Sequence, residues 1–288
     1  MIMSSFVFLL VLVAAFLHAS WNFLAKRAGN SKGFVWLFNV LSSIIYVPVL
    51  SYVLFAEHTS FSWVQVFFAL GSSCLHLAYF LFLQRGYETG DLSLSYPLAR
   101  GTGPLLSTLF AIAIFNERPA VGALVGIALL IVGIVFLVGN PLRIFAEGKR
   151  RAILYALLTG VFIAIYTLWD KEAVSTLHTS PLLMMEFTSI VMAVLLLPAS
   201  LKHWGQVKET WRSQRLGVLG VAILSPLAYL IILFVLISNP VSQIAPLRES
   251  SVLIGTLMGT RLLAEKQGAR RIVSAALILV GITLLAIS

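Results

Sequence analysis

Arg100 and Arg248 stand inside long apolar runs, each shortly after a Pro-Leu pair: Pro97-Leu98-Ala99-Arg100 and Pro246-Leu247-Arg248-Glu249. A guanidinium presents a planar fork of donors that fits a carboxylate or phosphate through two parallel hydrogen bonds. A charge near the centre of a bilayer costs at least about 2.5 kcal/mol, so neither side chain is expected to face lipid. Each could hold a substrate anion or an internal salt bridge. Glu249 is adjacent to Arg248 and Glu186 lies in another apolar run, whereas Arg100 has no acidic neighbour in its own run. Glu249 and Glu186 are the proton-coupling candidates, because a carboxylate that alternates between burial and an arginine partner can take up and release a proton. A fixed counter-ion role for Glu249 and a helix-start position for Glu186 fit the sequence as well.

Other polar residues recur at helical spacing. His18, Trp21 and Asn22 share one face of a helix, His76 and Tyr79 another, and Ser225 and Tyr229 a third. Polar faces of membrane helices point inward. These residues either line a cavity, where Trp21 and Tyr79 would offer aromatic surface to an amine, or hydrogen-bond between helices. There is no His-Glu-x-x-His, P-loop or Gly-x-Ser-x-Gly, and Cys74 is the only cysteine. No catalytic residue, metal or cofactor is therefore expected. Without an ATP site, concentrative transport would draw on an ion gradient or exchange.

The elements that position these residues are apolar. The 288-residue chain is 59% hydrophobic and 11% charged, which excludes an ordinary soluble domain. Runs of spanning length fall near 5–25, 34–55, 64–84, 92–115 and 120–139, then 152–169, 181–201, 216–237, 241–263 and 272–287. The alternation of a membrane β-barrel is absent. The expectation is an all-α integral membrane protein with ten transmembrane helices. Met1–Ser5 carries no basic group, so the first run is read as a retained span, not a cleaved leader. Gly101, Gly103 and Pro104, just after Arg100, are expected to loosen the fourth helix.

The runs divide into two five-helix units, 1–140 and 152–288, joined by a basic linker at 141–151. Short matches recur in the same order in both: Leu77-Ala78-Tyr79 with Leu227-Ala228-Tyr229, Pro97-Leu98 with Pro246-Leu247, Val132-Gly133-Ile134 with Val280-Gly281-Ile282. An odd number of helices per unit makes the repeats inverted, and such pairs place a site near the midplane. Sixteen of the twenty basic residues lie in odd-numbered loops and two in even-numbered ones. The positive-inside rule then puts the odd loops in the cytoplasm and both termini outside. The net charge of +9 is this loop charge, so the expected partners are a small-molecule substrate and the lipid bilayer, not nucleic acid. Gly122-x-x-x-Gly126 and Gly255-x-x-x-Gly259 permit close helix approach, within the chain or between two copies, so a monomer and a homodimer both fit.

The chain resembles the EamA-like ten-helix group of the drug/metabolite transporter superfamily. The resemblance rests on the five-plus-five runs, Trp21 and Tyr166 near the ends of the first helices, and a proline in each fourth helix. Glu117-Arg118 and Glu265-Lys266 before each last helix, and Gly122, Gly126 and Gly133, add to it. It implies a secondary transporter of small zwitterionic or anionic metabolites, often an exporter of amino-acid-like compounds, in a bacterial inner membrane. It also implies cytoplasmic termini, against the loop charges. Two other classes remain open: an intramembrane enzyme acting on lipid headgroups, which needs catalytic groups gathered at one face, and a non-transporting subunit, which needs no central cavity.

Overall fold

In an apolar medium each backbone N–H and C=O must find a partner inside the protein, and a helix satisfies them within one segment. The computed structural model describes residues 4–28, 32–57, 62–89, 92–138, 150–255 and 269–288. Among these, the first half forms α1 (Ser5–Ala28), α2 (Lys32–Glu57), α3 (Trp63–Thr89), α4 (Leu92–Ile114) and α5 (Val121–Val138). The second half forms α6 (Arg150–Ser175), α7 (Pro181–Lys202), α8 (Trp204–Leu236), α9 (Val241–Arg248) and α10 (Ala269–Ile287). Six of these helices, α1, α2, α3, α6, α7 and α8, are long and apolar enough to cross a membrane. Shorter apolar stretches lie in α4, α5 and α10. Phe6, Phe67, Leu109 and Leu216 are exposed on the outside, as a lipid-facing belt requires. The linker read at 141–151 falls outside the described residues except for Arg150 and Arg151, which open α6.

Three elements depart from the sequence reading. The helix expected to end near residue 169 continues to Ser175, which places Asp170 inside α6. The basic loop before the eighth run is itself helical, separated from the rest of α8 by a kink at Gln214 (φ −130°, ψ 22°). The ninth run is broken: α9 stops at Arg248, Glu249 forms a turn, and helix resumes over 250–255. Pro246 lies three residues before the break, and its missing N–H and its ring act on the turn that precedes it, which stays helical. Glu249 N donates to Pro246 O at 3.0 Å and Val252 N to Glu249 O at 2.9 Å, the tighter three-residue pattern. By contrast α4 runs unbroken past Gly101, Gly103 and Pro104. Gly103 instead allows close approach to Ile163 of α6.

The two halves interlock rather than sit side by side. α5 lies antiparallel to α10: Gly122 meets Ser288 and Gly133 meets Ile278. At their crossing a Cβ on Gly126 would lie 2.8 Å from Gly281 O, and one on Gly281 would lie 2.7 Å from Gly126 O. The Gly122–Gly126 stripe is thus used within the chain. Gly255 lies 4.0 Å from Ala19 by the same measure, and Gly259 is outside the described residues. Elsewhere α1 packs on α8, α3 on α6, and α2 on α7, where Ser42 and Ser189 hydroxyls are 3.3 Å apart. These contacts join one half to the other, so the centre of the molecule is an interface between repeats.

The glycine seam predicts opposite signs for one chemical change. Gly281→Ala forces a methyl onto a backbone oxygen and should destabilise by about 1–3 kcal/mol. Gly205→Ala, where nothing lies within 4 Å, should be neutral or stabilising by up to about 1 kcal/mol. Thermal unfolding of the two purified variants checks this.

Candidate functional site

Between the halves lies a cavity of about 150 Å³. α1 contributes His18 and Trp21 to its wall, α3 contributes His76 and Tyr79, α8 contributes Tyr229, and the end of α9 contributes Arg248. All six are residues that the sequence singles out. Tyr166 of α6 joins them, with its ring stacked on His76 at 4.0 Å and edge-on to Tyr79 at 5.7 Å. Ser225 also lines the space. Asn22 does not reach the cavity wall; its Nδ2 donates to His18 O at 2.7 Å, one turn back along α1.

The ionic residues form one cluster behind the wall. Arg100 Nη1 is 3.4 Å from Glu249 Oε1, and Arg248 Nε is 3.6 Å from the same oxygen. Arg100 therefore finds its acidic partner in the opposite half, across the repeat interface. Its Nη2 also contacts His18 Nε2. On its other ring nitrogen, His18 Nδ1 accepts from Trp21 Nε1 at 3.3 Å. Arg100 is 4% exposed, Arg248 7% and Glu249 0%.

Arg248 is the less satisfied arginine. Its Nε and Nη2 have no hydrogen-bond partner, and neither do Glu249 Oε2, Ser250 Oγ or Ser251 Oγ. Four consecutive residues at the helix break thus keep buried polar atoms unpaired, where each such atom normally costs about 1–3 kcal/mol. Native interiors hold few of these, and a run of them marks a place where the protein offers hydrogen bonds to something else.

Glu186 is fully buried in α7, with Ser43 and Tyr46 of α2 as polar neighbours. Neither carboxylate oxygen has a hydrogen bond of normal geometry. Met185 and Ser189 line the cavity, but Glu186 does not.

Sequence reading missed one carboxylate, Asp170, and noticed a second, Glu117, only through the family resemblance. Asp170 sits behind Tyr229 and His76, fully buried, accepting from Ser72 Oγ at 2.6 Å and from Tyr229 Oη at 2.8 Å. Glu117 of the α4–α5 turn accepts from Val241 N at 2.8 Å and Ser242 N at 2.9 Å. It caps the N-terminus of α9, where orphan N–H groups and the positive end of the helix dipole favour an anion. Two more polar contacts close the same end of the molecule: Lys171 Nζ donates to Leu236 O at 2.7 Å and Asn239 O at 3.1 Å, and Gln65 Nε2 to Leu177 O at 3.1 Å. That is the end of the even-numbered loops. Trp21, Phe38 and Tyr79 line the cavity from the parts of α1, α2 and α3 nearer the odd-numbered loops, and Met185, Thr188 and Ile232 from the parts of α7 and α8 nearer the even-numbered ones, so the cavity sits centrally.

A family model described as the EamA-like transporter family matches twice, over residues 5–139 and 150–287. The chain belongs to the EamA-like transporter family. That places it among the membrane transporters of the drug/metabolite superfamily and accounts for its two similar halves. Among solved structures 29 chains match. One, a crystal structure described only as that of a protein, aligns at TM-score 0.76 over 98% of this chain and 96% of its own, with 16% identity. Identity that low shows the shared fold alone. A search of curated proteins finds no match.

Within this EamA-like chain, Glu117 is the tie between a first-half turn and the broken helix that carries Arg248. Glu117→Ala removes both charge-assisted caps and should lower stability by about 2 kcal/mol. Glu117→Gln, which keeps an acceptor, should fall between Ala and wild type in thermal unfolding.

Proposed function

We propose that the chain is a secondary transporter of small anionic or zwitterionic metabolites, amino acids or their close relatives, working by alternating access between two inverted five-helix repeats. One observation carries the reading: Arg248 lines a cavity at the repeat interface, with its Nη2 making no hydrogen bond and its Nε only an ion-pair contact to Glu249. Arg248 thus keeps a donor on the cavity side that a substrate anion would take up. The rest of the wall suits the remainder of such a molecule. Tyr79, Tyr166, Tyr229 and Trp21 offer ring faces to an ammonium group or an apolar side chain. A cavity between halves also supports transport over a non-transporting subunit. The carboxylates and histidines lie at the interior, not gathered at one membrane face as headgroup chemistry would need.

On this reading the chain crosses the membrane ten times, its basic odd-numbered loops lie in the cytoplasm and its even-numbered loops and both termini lie outside. Export from a bacterial inner membrane is the direction that the reading favours. A C-terminal alkaline phosphatase fusion should be active and a C-terminal fluorescent-protein fusion dark; the reverse pattern would put the termini in the cytoplasm.

The substrate reading is checked by thermal shift of purified protein against amino acids and related carboxylates. A stabilising compound should bind Arg248→Ala at least about tenfold more weakly, the loss expected from a charge-assisted pair. Arg248→Lys keeps the charge but not the fork and should also bind more weakly. Wild-type affinity in Arg248→Ala would remove this residue, and the reading built on it, from recognition.

A further inference from the structure

We propose that Asp170, with Ser72, His76 and Tyr229, forms the proton-coupling site of this transporter. The proposal rests on the transport reading above and adds the ion that drives it. Three carboxylates are buried in the described interior near the repeat interface, and their surroundings differ. Glu249 is held against two arginines, the setting of a counter-ion. Glu186 lies off the cavity wall with no donor in normal geometry. Asp170 alone is held by neutral hydroxyls on both oxygens and separated from the cavity by single side chains.

Those side chains make a continuous path. The His76 ring forms part of the wall, and its Nδ1 lies 2.9 Å from Ser72 O and 3.3 Å from Ser72 Oγ. The carbonyl only accepts, so Nδ1 carries the proton in the neutral ring. Ser72 Oγ then donates to Asp170 Oδ1. On the other side Tyr229 lines the cavity, donates to Asp170 Oδ2, and lies 3.3 Å from Ser72 Oγ. A proton entering at His76 or Tyr229 needs one hydroxyl rotation to reach the carboxylate, and it leaves by the same groups. The titratable and charged groups facing Asp170 are His76 from α3, Tyr229 from α8 and Arg248 from α9, and Tyr166 of its own helix faces Tyr229 and His76.

Coupling follows from where these groups come from. Ser72 and His76 belong to the first repeat, and Asp170 and Tyr229 to the second. When the repeats move against each other, the donors to the carboxylate change, and those donors set how readily it takes a proton. Arg248 acts on both sites, lining the cavity as a candidate substrate contact and facing Asp170 as a charge. Proton and substrate are thereby linked through one interface, and the linkage is reciprocal.

The test needs no substrate, so failure of the transport reading shows separately in the metabolite screen. In lipid-reconstituted protein, infrared difference spectra between alkaline and acidic buffer read the C=O stretch of a carboxylic acid. Asp170→Asn should lose a band that Glu249→Gln and Glu186→Gln retain; a spectrum unchanged in Asp170→Asn overturns the proposal. Ser72→Ala and Tyr229→Phe leave the carboxylate in place and cover the case in which Asp170→Asn does not fold. Each should move the pH at which the band appears by about one unit, the equivalent of one hydrogen bond to a charged group. An unmoved midpoint in both also overturns it. The link to access state is read by spin-label distances between Val64→Cys and Thr176→Cys, exposed sites at the even-loop end, in a Cys74→Ser background. The distribution should change with pH in the parent and not in the added Asp170→Asn variant; pH dependence surviving in Asp170→Asn refutes coupling through this residue.

Discussion

A single carboxylate oxygen, Glu249 Oε1, lies between guanidiniums from opposite halves of the molecule. Arg248 has Glu249 beside it in the chain, whereas Arg100 reaches that carboxylate only across the repeat interface. An unpaired charge in the interior costs several kcal/mol, and breaking a buried pair typically costs about 3–5 kcal/mol. The repeats are therefore committed to face each other at this point. The cluster also keeps a donor in reserve, since Arg248 lines the cavity and makes no hydrogen bond through Nη2.

The scaffold serves that geometry with two kinds of contact. Along α5 and α10, glycines bring backbones together so closely that there is no space for a methyl, a rigid seam away from the site. Around the cavity the contacts are polar and side-chain mediated, and at the even-loop end they run from Glu117, Lys171 and Gln65 to backbone groups of the second half. Such contacts can be exchanged one for another at small net free energy, because each broken bond is replaced by one to water. Alternating access needs only that the two arrangements differ by a few kcal/mol. The helix is broken at Glu249, and Glu117 of the first half holds the N-terminus of α9.

Much of this was legible before any coordinates. The apolar runs, the doubled pattern and the two intramembrane arginines are local properties of the chain, and hydropathy marks them because lipid tolerates no unpaired backbone. Six of the seven residues proposed from helical spacing line one cavity, since polar residues three and four apart share a face. What local pattern cannot show is a partner from the other repeat. Arg100 looked unpaired because its carboxylate lies 149 residues away in sequence. Asp170 was overlooked because it sits at the edge of an apolar run, where a charge reads as the helix boundary; the adjoining Ala173-Val174 and the length of α6 show that the helix continues past it. Glu117 was noticed only as a family feature, and its capping of α9 depends on tertiary placement. The break in α9 was foreshadowed by Pro246, yet the equivalent Pro97 leaves α4 intact, so proline alone did not decide it.

The most direct test of the central claim is a ligand-bound structure of the protein with a metabolite that stabilises it. The account predicts the ligand in the cavity between α1, α3, α6 and α8, with an anionic group within hydrogen-bonding distance of Arg248 Nη2 and Arg100 still paired with Glu249. A ligand held elsewhere, with the Arg248 fork satisfied by the protein, would contradict it.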